Sequence, residues 1–261
     1  MNLLAIDIGN TNITAGIFNG AKLLGKAKIP THTYSSYARR IEALIKVSRN
    51  SMVGYGYNKM DDIEIIVSSV VPLALARLMV ELRRMSGTIK ITIVGRDLKV
   101  PVKNMYRIKN EVGQDRLVNA FAVKVLYGTP AVIVDFGTAI TFDIISKRGG
   151  YLGGLIIPGI ELSLSGLYRN TALLPKVKLK SASSIIGRDT VSSMRGGILF
   201  GFGAMCDGLV TRYKKILGKS IKVIATGGNS KLMKRYAKSI QHVDEDLTLK
   251  GLQLIKGSGA F

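Results

Sequence analysis

The apolar positions of this chain fall into strand-like and helix-like runs, and one arrangement of them occurs twice. LLAIDIGNTNITAGIFNG opens with an apolar strand over 3–7, turns at Gly-Asn-Thr, and resumes as a second strand over 12–18. AVIVDFGTAITFDIIS repeats the order, with a strand over 131–135, a glycine turn and a second strand over 139–145. Asp7 and Asp135 are expected to close the first strand of each pair. They stand 128 positions apart, close to half the chain.

The segments between follow the same alternation of short apolar runs and helix-period stretches. GAKLLGKAKIP reads as a third strand ending at Pro30. A helix is expected over 35–47, with Tyr37, Ile41, Leu44 and Ile45 on one face and Ser35 or Ser36 as its cap. IEIIVSSVV, at 63–71, reads as a buried strand, and Pro72 opens a helix to about Met85, a position where proline is tolerated. IKITIVG is a further strand, and a helix over 115–127 is closed by Gly128. In the second half, YLGGLIIPG and IKVIATGG read as strands, the latter entering a Gly-Gly turn. Helices are expected over 192–217, in NSKLMKRYAKSI and, as a last short one, in DLTLKGLQLIKG. No low-complexity linker interrupts the chain. The seam is placed near Gly128–Thr129, giving two α/β lobes, 1–128 and 129–261.

Composition narrows the class. With 261 residues and 47% hydrophobic content, the chain can bury a large core. No apolar run reaches the length of a membrane span, and the N-terminus lacks a basic n-region, so a cytoplasmic protein without a secretory signal is expected. The lone Cys206 excludes an internal disulfide and reads as a small buried residue. His32 and His242 have no Cys or His near them in sequence, which argues against a metal site built on them. The formal charge of +21 favours anionic ligands. Because the basic residues are scattered over helix-like segments, they read as solvated faces, and nucleic acid is not the expected partner.

Two glycine turns that each follow an aspartate carry the candidate chemistry. Backbone amides at such turns hold phosphate oxygens, and a carboxylate beside them can hold a cation or its bound water. One aspartate ending a strand is an ordinary turn residue; two at matching positions, with ATGGN in the second half, favour a phosphate site. In GQDR, Asp115 is either a helix-start acid favoured by the helix dipole or a catalytic group, and Arg116 is either a solvated side chain or a planar fork for a carboxylate. Thr190 is either a helix cap or a ligand contact, and Tyr106 either packing or a contact.

The motifs DIGNTN, GQDR, DFGTAITFD, GGLIIPG and IGRDT, in this order, resemble type III pantothenate kinase, and the resemblance runs from Leu4 to Leu252. It implies two similar lobes of the ribonuclease H-like/actin-like ATPase fold around a central nucleotide cleft. It also implies transfer of a phosphoryl group from ATP to pantothenate, the first committed step toward coenzyme A. By the same resemblance, Asp7, Ile8, Gly9, Asn10, Thr11, Asn12, Ile13, Thr14 and Thr138 bind ATP, and Asp7 orients Mg2+, through water. Asp115 is the general base. Gly113, Gln114, Asp115, Arg116, Tyr106 and Thr190 contact pantothenate. Asp135 binds a monovalent cation, K+ or NH4+, and the chain forms a homodimer through helices such as the one over 192–217. The readings kept against this one are another small-molecule kinase of the superfamily, such as a sugar or acetate kinase, and a non-catalytic regulator that would not need Asp115.

Overall fold

Each half of the chain forms a five-stranded mixed sheet, and the two sheets have one topology. The computed structural model describes residues 2–50, 63–85 and 88–258. In the first sheet β1 (Asn2–Ile8), β2 (Asn12–Asn19), β3 (Lys22–Pro30), β4 (Ile63–Ser69) and β5 (Ile91–Ile93) lie in the order β3-β2-β1-β4-β5. In the second, β6 (Ala131–Phe136), β7 (Ala139–Ile145), β8 (Tyr151–Pro158), β9 (Lys222–Thr226) and β10 (His242–Val243) lie in the order β10-β9-β6-β7-β8. The first three strands of each set pair antiparallel and the last two add in parallel. Even an irregularity recurs. The register shifts between Ile17 and Phe18 and again between Ile144 and Ile145, and Ile17 and Ile144 lie opposite Leu4 and Val132, each three residues before the aspartate.

The helices are α1 (Tyr37–Asn50), α2 (Pro72–Met85), α3 (Gln114–Leu126), α4 (Ile160–Arg169), α5 (Thr190–Leu217), α6 (Ser230–Met233) and α7 (Leu247–Gly257). Tyr37, Ile41, Leu44 and Ile45 are buried together, as the helical spacing predicts. A 3-10 turn over Tyr34–Ser36 precedes α1, and the Ser36 hydroxyl donates back to the Thr33 carbonyl at 2.8 Å. Pro72 is the first residue of α2. Gly128, at φ +85°, closes α3, its amide reaching the Val123 carbonyl at 3.0 Å.

Three differences from expectation stand out. α4 lies in a stretch that gave no separate helix signal. α6 spans only four residues of the twelve expected, because the chain after it is tied down elsewhere: the Tyr236 hydroxyl exchanges hydrogen bonds with the Ala182 amide and carbonyl, at 2.7 and 3.0 Å. Asp189, not Thr190, caps α5, accepting from the Ser192 amide at 2.8 Å in a capping box.

The chain divides into two compact units. The first comprises Met1–Val102, Ile108–Ala122 and Thr248–Phe261, and the second Lys103–Arg107 and Val123–Leu247. The division therefore falls within α3 rather than at Gly128. The last helix returns to the first unit because Gly251 packs against Val118 and Ala122, where a Cβ would come within 2.7 Å of Val118. In the first unit, α1 and α2 cover one sheet face with Ile6, Ile8, Ile65 and Val67, while α3 and α7 cover the other with Leu3, Ala5 and Ile66. In the second unit, α4, α5 and α6 pack on Val132, Val134, Phe136, Val223 and Ala225. Burying each of the Val, Leu, Ile and Phe side chains among these contributes about 1.5–3 kcal/mol before entropy is charged against it. Among the described residues no helix is long and apolar enough to cross a membrane.

Candidate active site

In the first unit the loop after β1 is held by backbone bonds. The Gly9 amide donates to the Asn12 carbonyl at 3.0 Å, and the Thr31 amide and hydroxyl reach the Thr11 and Gly9 carbonyls at 3.0 and 2.7 Å. The Tyr37 hydroxyl donates in turn to the Thr31 carbonyl, so α1 braces the loop from behind. Asp7 is the penultimate residue of β1 rather than its last. Asn10 and Thr11 are exposed, and Asp7, Gly9, Asn12 and Thr14 are half-buried. The side chains of Ile8 and Ile13 lie in the core, leaving only backbone to meet a ligand.

The start of α3 comes to the same end of this sheet. The Val70 amide, just past β4, donates to the Ile8 carbonyl at 3.1 Å, and a Cβ on Gly113 would lie 3.5 Å from Val70. Gln114 lies over Gly95, at φ +88° just past β5, where a Cβ would come within 2.6 Å of its side chain. So the carboxyl ends of β1, β4 and β5 surround Gly113–Gln114, the place where α/β sheets bind ligands. The glycine of GQDR has a steric reason: a Cβ at Gly113 would stand 2.4 Å from Asp115 Oδ1. That oxygen accepts from the Arg116 amide at 2.9 Å, and Arg116 itself is buried.

Asp7 and Asp115 share one face of the sheet. Leu3 and Ala5 of β1 and Ile66 of β4 pack with Val118 and Phe121 of α3. Asp7 is two residues beyond Ala5, about 7 Å further along the strand on that face. Asp115 is three residues before Val118, about 4.5 Å along the helix on the same stripe. Alternation and helical spacing thus put Asp7 and Asp115 on the sheet face that α3 covers, both toward the carboxyl end of β1.

In the second unit, Asp135 is again the penultimate residue of the first strand. Its carboxylate lies against Gly227, at φ +85°, where a Cβ would stand 2.3 Å from Oδ1 and 2.7 Å from the Phe136 backbone. Only glycine fits that position. The Asn229 amide donates to the Phe136 carbonyl at 3.2 Å, and Gly159, before α4, lies so close to the turn that a Cβ would meet the Thr138 carbonyl at 2.1 Å. Thr138 at the tip is exposed.

Tyr106 also belongs to the second unit. Its amide donates to Asn104 Oδ1 at 2.9 Å, and its ring lies over Gly153 of β8. The Lys103–Met105 backbone is held by Tyr151, through bonds of 2.9 Å at either end, and the buried Tyr151 hydroxyl donates to Asp143. Thr190 is exposed at the start of α5. Beside it, the amide and hydroxyl of Ser192 hold the Asp189 carboxyl below the ordinary carboxylate range. Within each unit, then, DIGNTN is joined by GQDR, and DFGTA by the Gly227 turn; Tyr106 sits on β8, away from the Asp135 turn in sequence and sheet position.

Residue types alone left one feature unseen. In the first sheet Thr14 lies opposite Asp7 on β2, and Ser68 lies beside it on β4; in the second, Thr141 and Thr226 flank Asp135 in the same way. The signal was a hydroxyl residue near the end of each parallel strand, at an offset that only the sheet register reveals.

The repeated sheet order with its aspartate hairpin is that of the actin-like ATPase fold. Solved structures with this fold include a conserved Campylobacter jejuni protein provisionally assigned to the Baf family of transcriptional activators, 19% identical, with a TM-score of 0.57 over 98% of both chains. Another is the ethanolamine utilization protein EutJ from Carboxydothermus hydrogenoformans, 14% identical, with a TM-score of 0.54 over 98% of this chain and 90% of that one. At these identities the likeness concerns the fold. The type III pantothenate kinase family pattern matches residues 3–212. Type III pantothenate kinases from Syntrophus aciditrophicus and Myxococcus xanthus are 41% and 39% identical, over 97% and 98% of this chain and 98% of each relative. The chain belongs to the type III pantothenate kinase family.

Proposed function

We propose that this protein transfers the γ-phosphoryl group of ATP to the primary hydroxyl of pantothenate, yielding 4′-phosphopantothenate and ADP in coenzyme A biosynthesis. What supports the mechanism is that Asp7 and Asp115 belong to the same face of the first sheet, toward the carboxyl end of β1 and beside a backbone-braced glycine loop. Asp115 accepts the proton of the pantothenate hydroxyl as its oxygen attacks phosphorus. Arg116 presents its guanidinium to the substrate carboxylate. Gly9 to Asn12 and Thr138 offer amides and side chains to the phosphates, and Tyr106 and Thr190 complete the pantothenate contacts.

Two cations fit the residues present. Asp7, with hydroxyls on both neighbouring strands, suits Mg2+, which favours oxygen ligands and keeps several waters. Asp135, half-buried between the hydroxyl residues Thr141 and Thr226 of its neighbouring strands, is the residue assigned to a monovalent cation, K+ or NH4+. Such ions would supply positive charge to phosphoryl transfer, in which electrostatic stabilisation is the main catalytic term. The +21 charge favours the approach of two anionic substrates.

The protein acts in the cytoplasm as a homodimer. The dimer reading is supported less by α5 than by the edge strand β8 and the segment after it: Ile156 is 66% exposed, and Leu155, Leu162 and Leu173 are exposed as well. Sedimentation of wild type at twice the monomer mass, with Ile156→Glu sedimenting as monomer, is the expected result.

The activity is tested with purified protein, ATP and Mg2+, with and without K+, offering pantothenate, a hexose or acetate and following ADP release and product mass. Phosphopantothenate alone, dependent on K+, is expected. Product from another substrate, or none from any by a folded protein that binds ATP, would overturn the assignment.

A further inference from the structure

The register of β1 with β4 sets Ser68 directly beside Asp7. Ser68 is fully buried, and its Oγ makes no hydrogen bond to any described residue. A buried hydroxyl left unsatisfied costs about 1–3 kcal/mol, so its place needs a reason. The adjacent serine shows the contrast. The Ser69 hydroxyl donates to the Val71 carbonyl at 3.2 Å and accepts from the Val71 amide at 3.1 Å, closing the turn that leads into Pro72 and α2. Ser69 thus makes the turn, and Ser68 has no part in it.

Alternation along the strands fixes where Ser68 points. Ile65 and Val67 pack with α1 and α2, and Ile66 packs with α3. Ser68 follows Ile66 on the α3 face, as Asp7 follows Ala5. Neighbouring strands are about 4.8 Å apart, so the hydroxyl and the Asp7 carboxylate are near neighbours on that face. The second sheet carries a buried hydroxyl at the same position, Thr226 beside Asp135.

We propose that Ser68 is a positioning residue for the magnesium ion that accompanies ATP, its hydroxyl taking a hydrogen bond from a water of the ion that Asp7 orients. This rests on the reading of Asp7 given above. The chemistry matches: Mg2+ retains water in its coordination shell, and a fixed oxygen outside that shell orients the water and tightens the site. An aliphatic residue here would fill the space without offering that oxygen.

The test uses the full-length chain and three variants, Ser68→Ala, Ser68→Thr and Asp7→Asn. Two quantities are measured: the melting temperature without ligand, and ATP binding by calorimetry across a Mg2+ titration, with turnover followed in parallel. For Ser68→Ala the melting temperature should be unchanged or higher, since an unsatisfied buried group is removed. The Mg2+ concentration giving half-maximal ATP binding should rise about tenfold. Ser68→Thr, which keeps the hydroxyl, should restore most of that loss. A Mg2+ curve for Ser68→Ala that superimposes on wild type, or a melting temperature that falls with no change in the curve, would overturn the proposal and leave Ser68 structural. If Asp7→Asn moves the curve and Ser68→Ala does not, the Ser68 assignment alone fails. If Asp7→Asn leaves the curve in place, the Asp7 reading fails and this inference falls with it.

Discussion

The two units share a sheet order, a pairing pattern and the position of a bulge, yet they differ around the aspartate that each carries. In the first, four residues lie between the paired Ile8 and Ile13; in the second, three lie between Phe136 and Ile140. Past the neighbouring parallel strand, the first unit runs through Ser69, which closes a local turn, into the 14-residue α2. The second runs through Gly227, whose bare Cα lies under the Asp135 carboxylate, into the four-residue α6. The longer first loop carries more backbone amides and more polar side chains, Asn10, Thr11 and Asn12. The glycine in the second lets the turn backbone press directly against the Asp135 carboxylate. One scaffold, written twice, thus surrounds its aspartate differently in each copy.

The largest test of this asymmetry is Asp115, which only the first unit supplies. Asp115→Asn should lower kcat by about a hundred- to ten-thousand-fold, the usual worth of a general base, with ATP affinity by calorimetry close to wild type. Near-normal turnover would remove Asp115 from the proton transfer. Next come the glycines of the two turns. Gly227→Ala combines a left-handed backbone with a Cβ 2.3 Å from Asp135 Oδ1, and should cost about 1–3 kcal/mol in denaturant unfolding. Gly9→Ala meets only the Asn12 carbonyl, at 3.2 Å, and should cost less. Equal costs would mean that the two turns are not built differently.

Cys206 sharpens the comparison from inside the second unit, where α5 buries it in the core. Burial pushes its thiol up to about 11. A raised value keeps the neutral thiol dominant at neutral pH, so the nucleophilic thiolate appears only as pH climbs toward that value. Native protein should resist iodoacetamide at pH 8 and react readily in denaturant. Fast native labelling would show that α5 is not packed as described.

Much of this architecture was legible in the residues, for local reasons. Apolar runs broken by an aspartate and a glycine mark both hairpins, and Pro72 and Gly128 mark a helix start and end because each has backbone geometry that few other residues supply. α4 was not legible: it follows a single glycine, Gly159, placed for close approach to the Thr138 carbonyl, and its apolar residues continue those of β8. The shortness of α6 was not legible either, since the contact that ends it joins Tyr236 to Ala182, 54 residues away. At the candidate site, the motifs named the aspartates and the loop, but Ser68 and Thr226 emerged only from the pairing of distant strands. The return of α7 to the first unit depends likewise on a long-range fit, Gly251 on Val118.

On the function proposed above, Asp7 serves Mg2+ and Asp135 serves a monovalent cation. The most direct measurement is a matrix of turnover against Mg2+ and against K+ for wild type, Asp7→Asn and Asp135→Asn. The account predicts that Asp7→Asn moves the Mg2+ curve and leaves the K+ dependence of the remaining activity in place, while Asp135→Asn does the reverse. Both variants moving the same curve, or neither moving either, would contradict it.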